Sequence, residues 1–281
     1  MQVIVTMAGK GQRFLDAGFV DPKPLVEVGG KPAIQYLIEA FPATWKLFFV
    51  IGEHFRTSDI EEVVCNLRPD AEVVYTDYSE RGPVDTILAA LPLLENEDEP
   101  VIVTYCDYTI IWDAKKFEES VKGYDAAVVS YQGFHPTYLG PNSYCHLKVV
   151  QDRVFRLKEK AFFTEAIETE VTSAGLYYFK SVEFLGQCLA SQVAQDLNYH
   201  NEFYTSLALQ AAIFDDPTVK ILNYPISHMV QFGAPEDIER FEFWYKTLVS
   251  KSSLIEPIAV SDYAKEEKYW REVFEKIIPE K

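Results

Sequence analysis

Residues Val3 to Pro32 read VIVTMAGKGQRFLDAGFVDPKPLVEVGGKP, which places an apolar run, a glycine-rich basic loop and a spaced Lys-Pro in thirty residues. Val3, Ile4 and Val5 have the character of a parallel strand buried on both faces. Ala8-Gly9-Lys10-Gly11 follows with little side chain in the way, so backbone N–H groups there can come close to phosphate oxygens. Arg13 and Lys23 add charge in two forms, a planar fork and a compact ammonium. The combination implies a site for a nucleoside triphosphate. Two familiar glycine motifs do not fit it. A dinucleotide fingerprint needs a third glycine where Phe14 stands, and a P-loop needs Ser or Thr after Gly30-Lys31, where Pro32 stands.

A chain of 281 residues can bury one large core, or a core with a small accessory lobe, and 48% apolar residues make it globular. The formal charge of −17 disfavours nucleic acid or an anionic membrane as partner. Against that background the segment up to Lys31 stands apart. Its four basic residues (Lys10, Arg13, Lys23, Lys31) exceed its three acidic ones (Asp16, Asp21, Glu27), so anionic substrates are drawn here. Cys65, Cys106, Cys145 and Cys188 are far apart and read as reduced, buried thiols. The chain opens on a strand with no basic-then-apolar leader, and no apolar run approaches the ~20 residues of a membrane span, so a cytoplasmic location is expected.

Apolar runs and amphipathic stretches alternate through the first half. Strands are predicted at 2–7, 46–51, 72–76 and 101–105, and helices at 33–41, 59–67, 84–94 and 114–121. This is the rhythm of a doubly wound α/β fold with a mainly parallel sheet, whose sites lie beyond the carboxyl ends of the strands. The Gly9 loop and Asp107 both fall at such ends. After Tyr124 the segments DAAVVSY, YCHLKVV, RVFRLKEK and VTSAGLYYF predict antiparallel pairs mixed into the sheet. Helices are expected at 182–189, 203–214 and 235–248, with a strand at 219–222 between the last two. Residues 251–261 read as a linker to a final helix from Tyr263 with Trp270, Phe274 and Ile277 or Ile278 on one face. That helix is expected to dock on its own domain, with homodimerisation as the alternative.

The string MAGKGQRF followed by PKPLVEVGGKP resembles the signature of the sugar-phosphate nucleotidyltransferases, the sugar-nucleotide pyrophosphorylases. The resemblance implies a Rossmann-like nucleotidyltransferase fold over residues 1–250, with a nucleotide-binding part to about 123, an acceptor-binding part at 124–250, and 251–281 as linker and helix. It implies a magnesium-dependent transfer from a nucleoside triphosphate to a sugar 1-phosphate or other small phosphorylated acceptor, serving cell-surface polysaccharide or related biosynthesis. Carried over residue by residue, Ala8, Gly9 and Gly11 cradle the triphosphate, and Arg13 and Lys23 neutralise charge as the α-phosphate is attacked. Arg81-Gly82-Pro83-Val84 resembles the loop that meets the nucleobase, with Gly82 as the contact. Gly-Pro before a helix is also ordinary turn chemistry.

Asp107 in VIVTYCDY stands where that family places a magnesium-binding carboxylate. Lys158-Glu159-Lys160 and Thr172-Ser173-Ala174-Gly175-Leu176-Tyr177 resemble segments lining the acceptor pocket, which assigns Glu159, Lys160 and Gly175 there, with Glu202 of NEFYTSL beside them. The segment MVQFGAPE at 229–236 departs from the pattern, because Gln231 stands where many members have a second metal-binding Asp or Asn. Either Gln231 contributes an uncharged ligand, or Asp107 works with substrate phosphates, or the second carboxylate lies elsewhere. The stretch Gly133 to Tyr144, with His135, Tyr138 and Asn142, is read as a specificity loop or an ordinary surface excursion.

No Ser-His-Asp or Cys-His arrangement is evident, in keeping with an anionic phosphate as nucleophile. A nucleotide-sugar-dependent glycosyltransferase of similar fold is the competing enzyme, but Asp107 is followed by Tyr108 and Thr109 rather than by the Asp-x-Asp such enzymes use. A catalytically silent, ligand-sensing relative is the other alternative, which Arg13, Lys23 and Asp107 argue against. Short relatives also activate phosphocholine or similar metabolites with CTP, so base and acceptor both stay open.

Overall fold

Strand β1 (Gln2–Met7) is buried at all six positions and serves two cores through its alternation. The computed structural model describes residues 1–94, 96–136, 142–252, 258–260 and 262–278. Val3, Val5 and Met7 face one core, into which α2 (Ala33–Glu39), α3 (Ile60–Leu67) and α5 (Ala114–Ser120) pack Leu37, Val64 and Phe117. Ile4 faces the other, filled by Ile87 of α4 (Pro83–Ala90), Leu185 of α6 (Val182–Ala194) and Leu209 of α7 (Thr205–Asp215). Helices therefore cover both faces of the sheet, which is why its strands read as continuous apolar runs.

Among the described residues the main sheet has nine strands. Strands β4 (Lys46–Gly52) and β5 (Glu72–Thr76) extend it on one side of β1, and β6 (Val101–Tyr105) lies on the other, all parallel. The chain thus reverses its direction of travel across the sheet between β1 and β6. A crevice opens at such a switch point, beyond the strand ends.

Past β6 the sheet changes character, and the expectation of a mainly parallel sheet is corrected. Strand β11 (Val171–Phe179) runs antiparallel to β6 and to β8 (Ala126–Tyr131), and only β12 (Ile221–Pro225) is parallel to its neighbour β8. Strands β9 (Cys145–Val150) and β10 (Arg153–Glu159) form an antiparallel hairpin, and β9 pairs back on β11, also antiparallel. The turn explains it. Gln151 and Asp152 alone join β9 to β10, whereas a parallel neighbour needs a crossover of a dozen or more residues. Five pairings are antiparallel and four parallel, so the sheet is mixed.

Two small ribbons flank the sheet. Strands β2 (Glu27–Val28) and β3 (Lys31–Pro32) pair after the short helix α1 (Gln12–Asp16), and β7 (Tyr108–Ile111) pairs with β13 (His228–Gln231). The tail helix α9 (Tyr263–Ile277) packs on its own chain against α8 (Pro235–Tyr245), burying Tyr269, Trp270, Val273 and Phe274. Its Glu266, fully buried, accepts from Arg240 Nη1 at 2.6 and 2.7 Å and from Trp244 Nε1 at 3.1 Å. Cys106, Cys145 and Cys188 are buried and Cys65 half-buried, and no cysteine is disulfide-bonded among the described residues. No described helix is long and apolar enough to cross a membrane.

Candidate active site

The loop leaving β1 and the turn leaving β6 meet because their strands are hydrogen-bonded neighbours in register, Gln2 beside Val101 and Thr6 beside Tyr105. Ala8, Gly9 and Gly11 form the first loop, and Gly11 caps α1, accepting the Phe14 N–H at 2.9 Å. Lys23 starts the single helical turn Lys23–Leu25, fixed between Pro22 and Pro24. From there Lys23 Nζ reaches Asp107 Oδ2 at 2.6 Å, with both side chains about four-fifths buried (18% and 19% exposed). Burial, the largest influence, opposes the Lys23 ammonium, but the charge of Asp107, the neighbouring Cys106 and the hydrogen bond to Asp107 together outweigh it, so the lysine pKa is raised. Burial also opposes the Asp107 carboxylate, but Lys23 and then Arg13 hold its pKa below the usual range.

Asp107 occupies the tight turn between β6 and β7, where the β7–β13 ribbon brings Gln231 opposite Tyr108. The Phe232 N–H donates to the Asp107 carbonyl at 2.7 Å and ties the two strands at this point. Gly233 lies at this corner, where any larger residue would push the Gln231 side chain aside. A Cβ on it would lie 2.4 Å from Gln231 Nε2 and 3.2 Å from Asp107 Oδ2, so the three residues crowd one corner.

A second carboxylate, not singled out in the sequence, belongs to the same corner. Asp237 accepts the Ala234 N–H at 2.8 Å at the start of α8, and its carboxyl is pushed up to about 6 by burial, with the charge of Asp107 adding to the effect. The backbone amides of Ala234 and Gly233 and the charge of Arg13 pull the other way. Its signal in the sequence was a Pro-Glu-Asp at a helix start, which capping accounts for equally well.

On the opposite wall Gly82 opens α4 at φ +77°, a backbone that an L side chain rarely adopts, and lies against Glu202. Glu159 ends β10 in a buried position and accepts from Ser206 Oγ at 2.6 Å. Burial pushes its carboxyl up to about 7, against the pull of Ser206 and Lys160. Lys160 Nζ donates to the Tyr204 hydroxyl and lies 4.2 Å from that ring's centre, while the hydroxyl donates to Glu202 Oε2. Tyr204 and Ser206 thus join the acidic and basic groups of this wall, and both lie in the NEFYTSL segment from which the sequence reading singled out Glu202 alone. Gly175 lies where the β11–β8 register shifts, its N–H donating to Ser173 Oγ at 3.1 Å.

All twelve residues singled out in the sequence (Ala8, Gly9, Gly11, Arg13, Lys23, Gly82, Asp107, Glu159, Lys160, Gly175, Glu202 and Gln231) line one cleft of about 840 Å³. The 133–144 stretch is different. His135 is a core residue bonded to the Met229 carbonyl at 2.8 Å, so its part in a specificity loop is corrected: the ring is buried against Tyr131 and Tyr269. Tyr138 lies outside the described residues, and Asn142 Oδ1 accepts the Tyr144 N–H at 3.1 Å. Ser143 and Tyr144 do line the cleft.

Comparison with known proteins adds to this geometry. Residues 3–161 match the family model described as the MobA-like NTP transferase domain. The chain is 24% identical over 216 residues to the bifunctional protein GlmU of Azorhizobium caulinodans, covering 76% of this chain and 46% of that one. It is 26% identical over 184 residues to the mannose-1-phosphate guanyltransferase of Neurospora crassa, covering 64% and 49% respectively. The chain thus spans about half the length of these curated relatives. In structure it is similar to the nucleoside-diphosphate-sugar pyrophosphorylase of Vibrio cholerae RC9, with a TM-score of 0.70 over 85% of this chain and 98% of that one. At 18% identity that likeness concerns the fold. With the family model covering more than half of its length, the chain belongs to the MobA-like NTP transferase domain family.

Proposed function

We propose that this chain is a nucleotidyltransferase that joins a nucleoside monophosphate, taken from the triphosphate, to a small phosphorylated acceptor and releases pyrophosphate. The observation that carries it is the single cleft in which the glycine loop, the Lys23–Asp107 pair and the Glu159–Lys160 wall face one another. One of the relatives named above is a mannose-1-phosphate guanyltransferase, which supports a sugar 1-phosphate as the acceptor class. Residues 1–123 supply the nucleotide side and 124–250 most of the acceptor side, with Gln231 crossing over to the Asp107 corner. Residues 251–281 serve as linker and packing helix.

In this reading an acceptor phosphate oxygen bonds to the α-phosphorus as the bond from that phosphorus to the α,β-bridging oxygen breaks, and that oxygen leaves as a terminal oxygen of pyrophosphate. The attacking phosphate is already anionic, so no protein base has to remove a proton. Backbone N–H groups of the glycine loop bind the triphosphate, and Arg13 and Lys23 neutralise the charge that gathers on the α-phosphate and the leaving group. Glu159 and Lys160 orient the acceptor for in-line approach. The Asp107 carboxylate and the Gln231 side-chain amide lie in the same corner at the phosphate end, and a carboxylate with an amide turned to offer its oxygen is a donor set that fits magnesium when substrate phosphates complete the shell. The ion, when bound, supplies Lewis-acid charge neutralisation at the phosphates. Production of a nucleotide-activated precursor for surface polysaccharide is the corresponding biological role.

The test is pyrophosphate release from four triphosphates, each paired with a panel of sugar 1-phosphates and other small phosphomonoesters in the presence of magnesium. Release that requires both substrates supports the reading. No pyrophosphate from any such pair, with a nucleoside diphosphate released instead from a nucleotide-sugar donor and a sugar hydroxyl acceptor, would favour the glycosyltransferase.

A further inference from the structure

Four carboxylates line the cleft: Glu80, Asp107, Glu159 and Glu202. Three are engaged by donors of the chain itself, Asp107 by Lys23, Glu159 by Ser206 and Glu202 by the Tyr204 hydroxyl. Glu80 is exposed to the cleft and has no hydrogen-bond or ion-pair partner among the described residues. The loop that carries it is nonetheless braced. Ser79 Oγ donates to Asp85 Oδ2 at 2.5 Å, the Arg81 N–H donates to Ser79 Oγ at 3.1 Å, and Arg81 Nη1 lies 3.5 Å from Asp85 Oδ1. Glu80 is therefore held two residues before Gly82, in the wall of the cleft.

A free carboxylate beside a polyphosphate repels it, so its place in this cleft calls for a ligand group that donates hydrogen bonds. Nucleobases differ in what they offer. Guanine presents two parallel N–H donors on one edge, N1–H and the N2 amino group, which match the two oxygens of a carboxylate in a bidentate pair. Uracil presents one N–H between two carbonyl oxygens that a carboxylate repels. Cytosine and adenine each place an amino group beside a ring nitrogen that is itself an acceptor. We propose that Glu80 reads the base and that the triphosphate bound by this chain is GTP. The inference deepens the nucleotidyl-transfer reading and rests on it for the presence of a nucleotide in the cleft.

The experiment is equilibrium binding of GTP, ATP, CTP and UTP without acceptor, so that no turnover is needed, to the parent, Glu80→Gln and Asp77→Asn. The glutamine keeps the size of the side chain but exchanges one acceptor oxygen for a donor. Asp77 is exposed and does not line the cleft, so its variant controls for the loss of a nearby charge. The parent is expected to bind GTP about tenfold or more tighter than each of the other three, a margin lost in Glu80→Gln and kept in Asp77→Asn. Another triphosphate bound as tightly as GTP, a preference that survives in Glu80→Gln or collapses in Asp77→Asn, or no binding of any triphosphate overturns the proposal. The two readings fail separately. GTP preference that depends on Glu80 without pyrophosphate release upholds the base assignment and overturns transfer, whereas release with a different triphosphate does the reverse.

Discussion

Lys23 and Asp107, 84 residues apart in sequence, meet through a 2.6 Å bond between Nζ and Oδ2 at the mouth of the switch point between β1 and β6. Each compensates the burial of the other, so each is charged at neutral pH. The pair joins the loop assigned to the triphosphate to the turn assigned to the metal.

Asp107→Asn keeps the shape of the turn and removes its charge. In the proposed enzyme the magnesium concentration for half-maximal activity should rise by at least the ~10-fold typical of losing even a supporting partner of a metal site. Gln231→Ala should shift it less, because an amide oxygen carries no net charge. A magnesium titration of the three proteins decides this, and an unchanged requirement in Asp107→Asn would move the ligand role to Asp237.

The Glu159 carboxyl gives stability a pH dependence of definite sign. Burial first, and the charge of Glu202 last, raise its pKa to about 7 in the folded chain. The folded state then holds this proton more tightly than the unfolded state, whose glutamate titrates near ~4.3. Its contribution is fully present below the unfolded value and is lost as pH rises through about 7. The melting temperature of the parent should therefore fall more between about pH 5 and about pH 8 than that of Glu159→Gln. Parallel curves for the two proteins would contradict the assignment.

Glu266 is fully buried between α8 and α9 and holds Arg240 through two short bonds. Glu266→Ala leaves the mostly buried guanidinium uncompensated and should destabilise the fold by about 3–5 kcal/mol. Urea denaturation measures it. A loss below about 1 kcal/mol, the range of a surface pair, would mean that α9 adds little to the stability of the chain.

The parallel half of the sheet was legible because its inner strands are buried on both faces, as β1 is at every position, and each crossover helix repeats the 3.6-residue period. Strands 72–76 and 101–105 appear as read. The antiparallel pairs after Tyr124 were legible as such, but not their order in the sheet, in which β11 sits between β6 and β8 and also meets β9. The β7–β13 ribbon escaped notice because Tyr108–Ile111 and His228–Gln231 are four residues each and pair across the length of the chain. The charged members of the cleft stood out through their motifs. Asp237, Tyr204 and Ser206 did not, because their roles arise from contacts between elements and not from local spacing.

The transfer of a nucleotidyl group within this cleft is tested most directly by the turnover number for pyrophosphate release in the parent and in Lys23→Ala at saturating triphosphate and acceptor. Losing a preorganised cation at the reacting phosphate is expected to cost about 3 kcal/mol of barrier, a fall on the order of 10²–10³ in turnover. The account predicts release by the parent, dependent on both substrates, and that fall in the variant. Release by Lys23→Ala at the parent rate, or none by the parent with any triphosphate and phosphorylated acceptor, would contradict it.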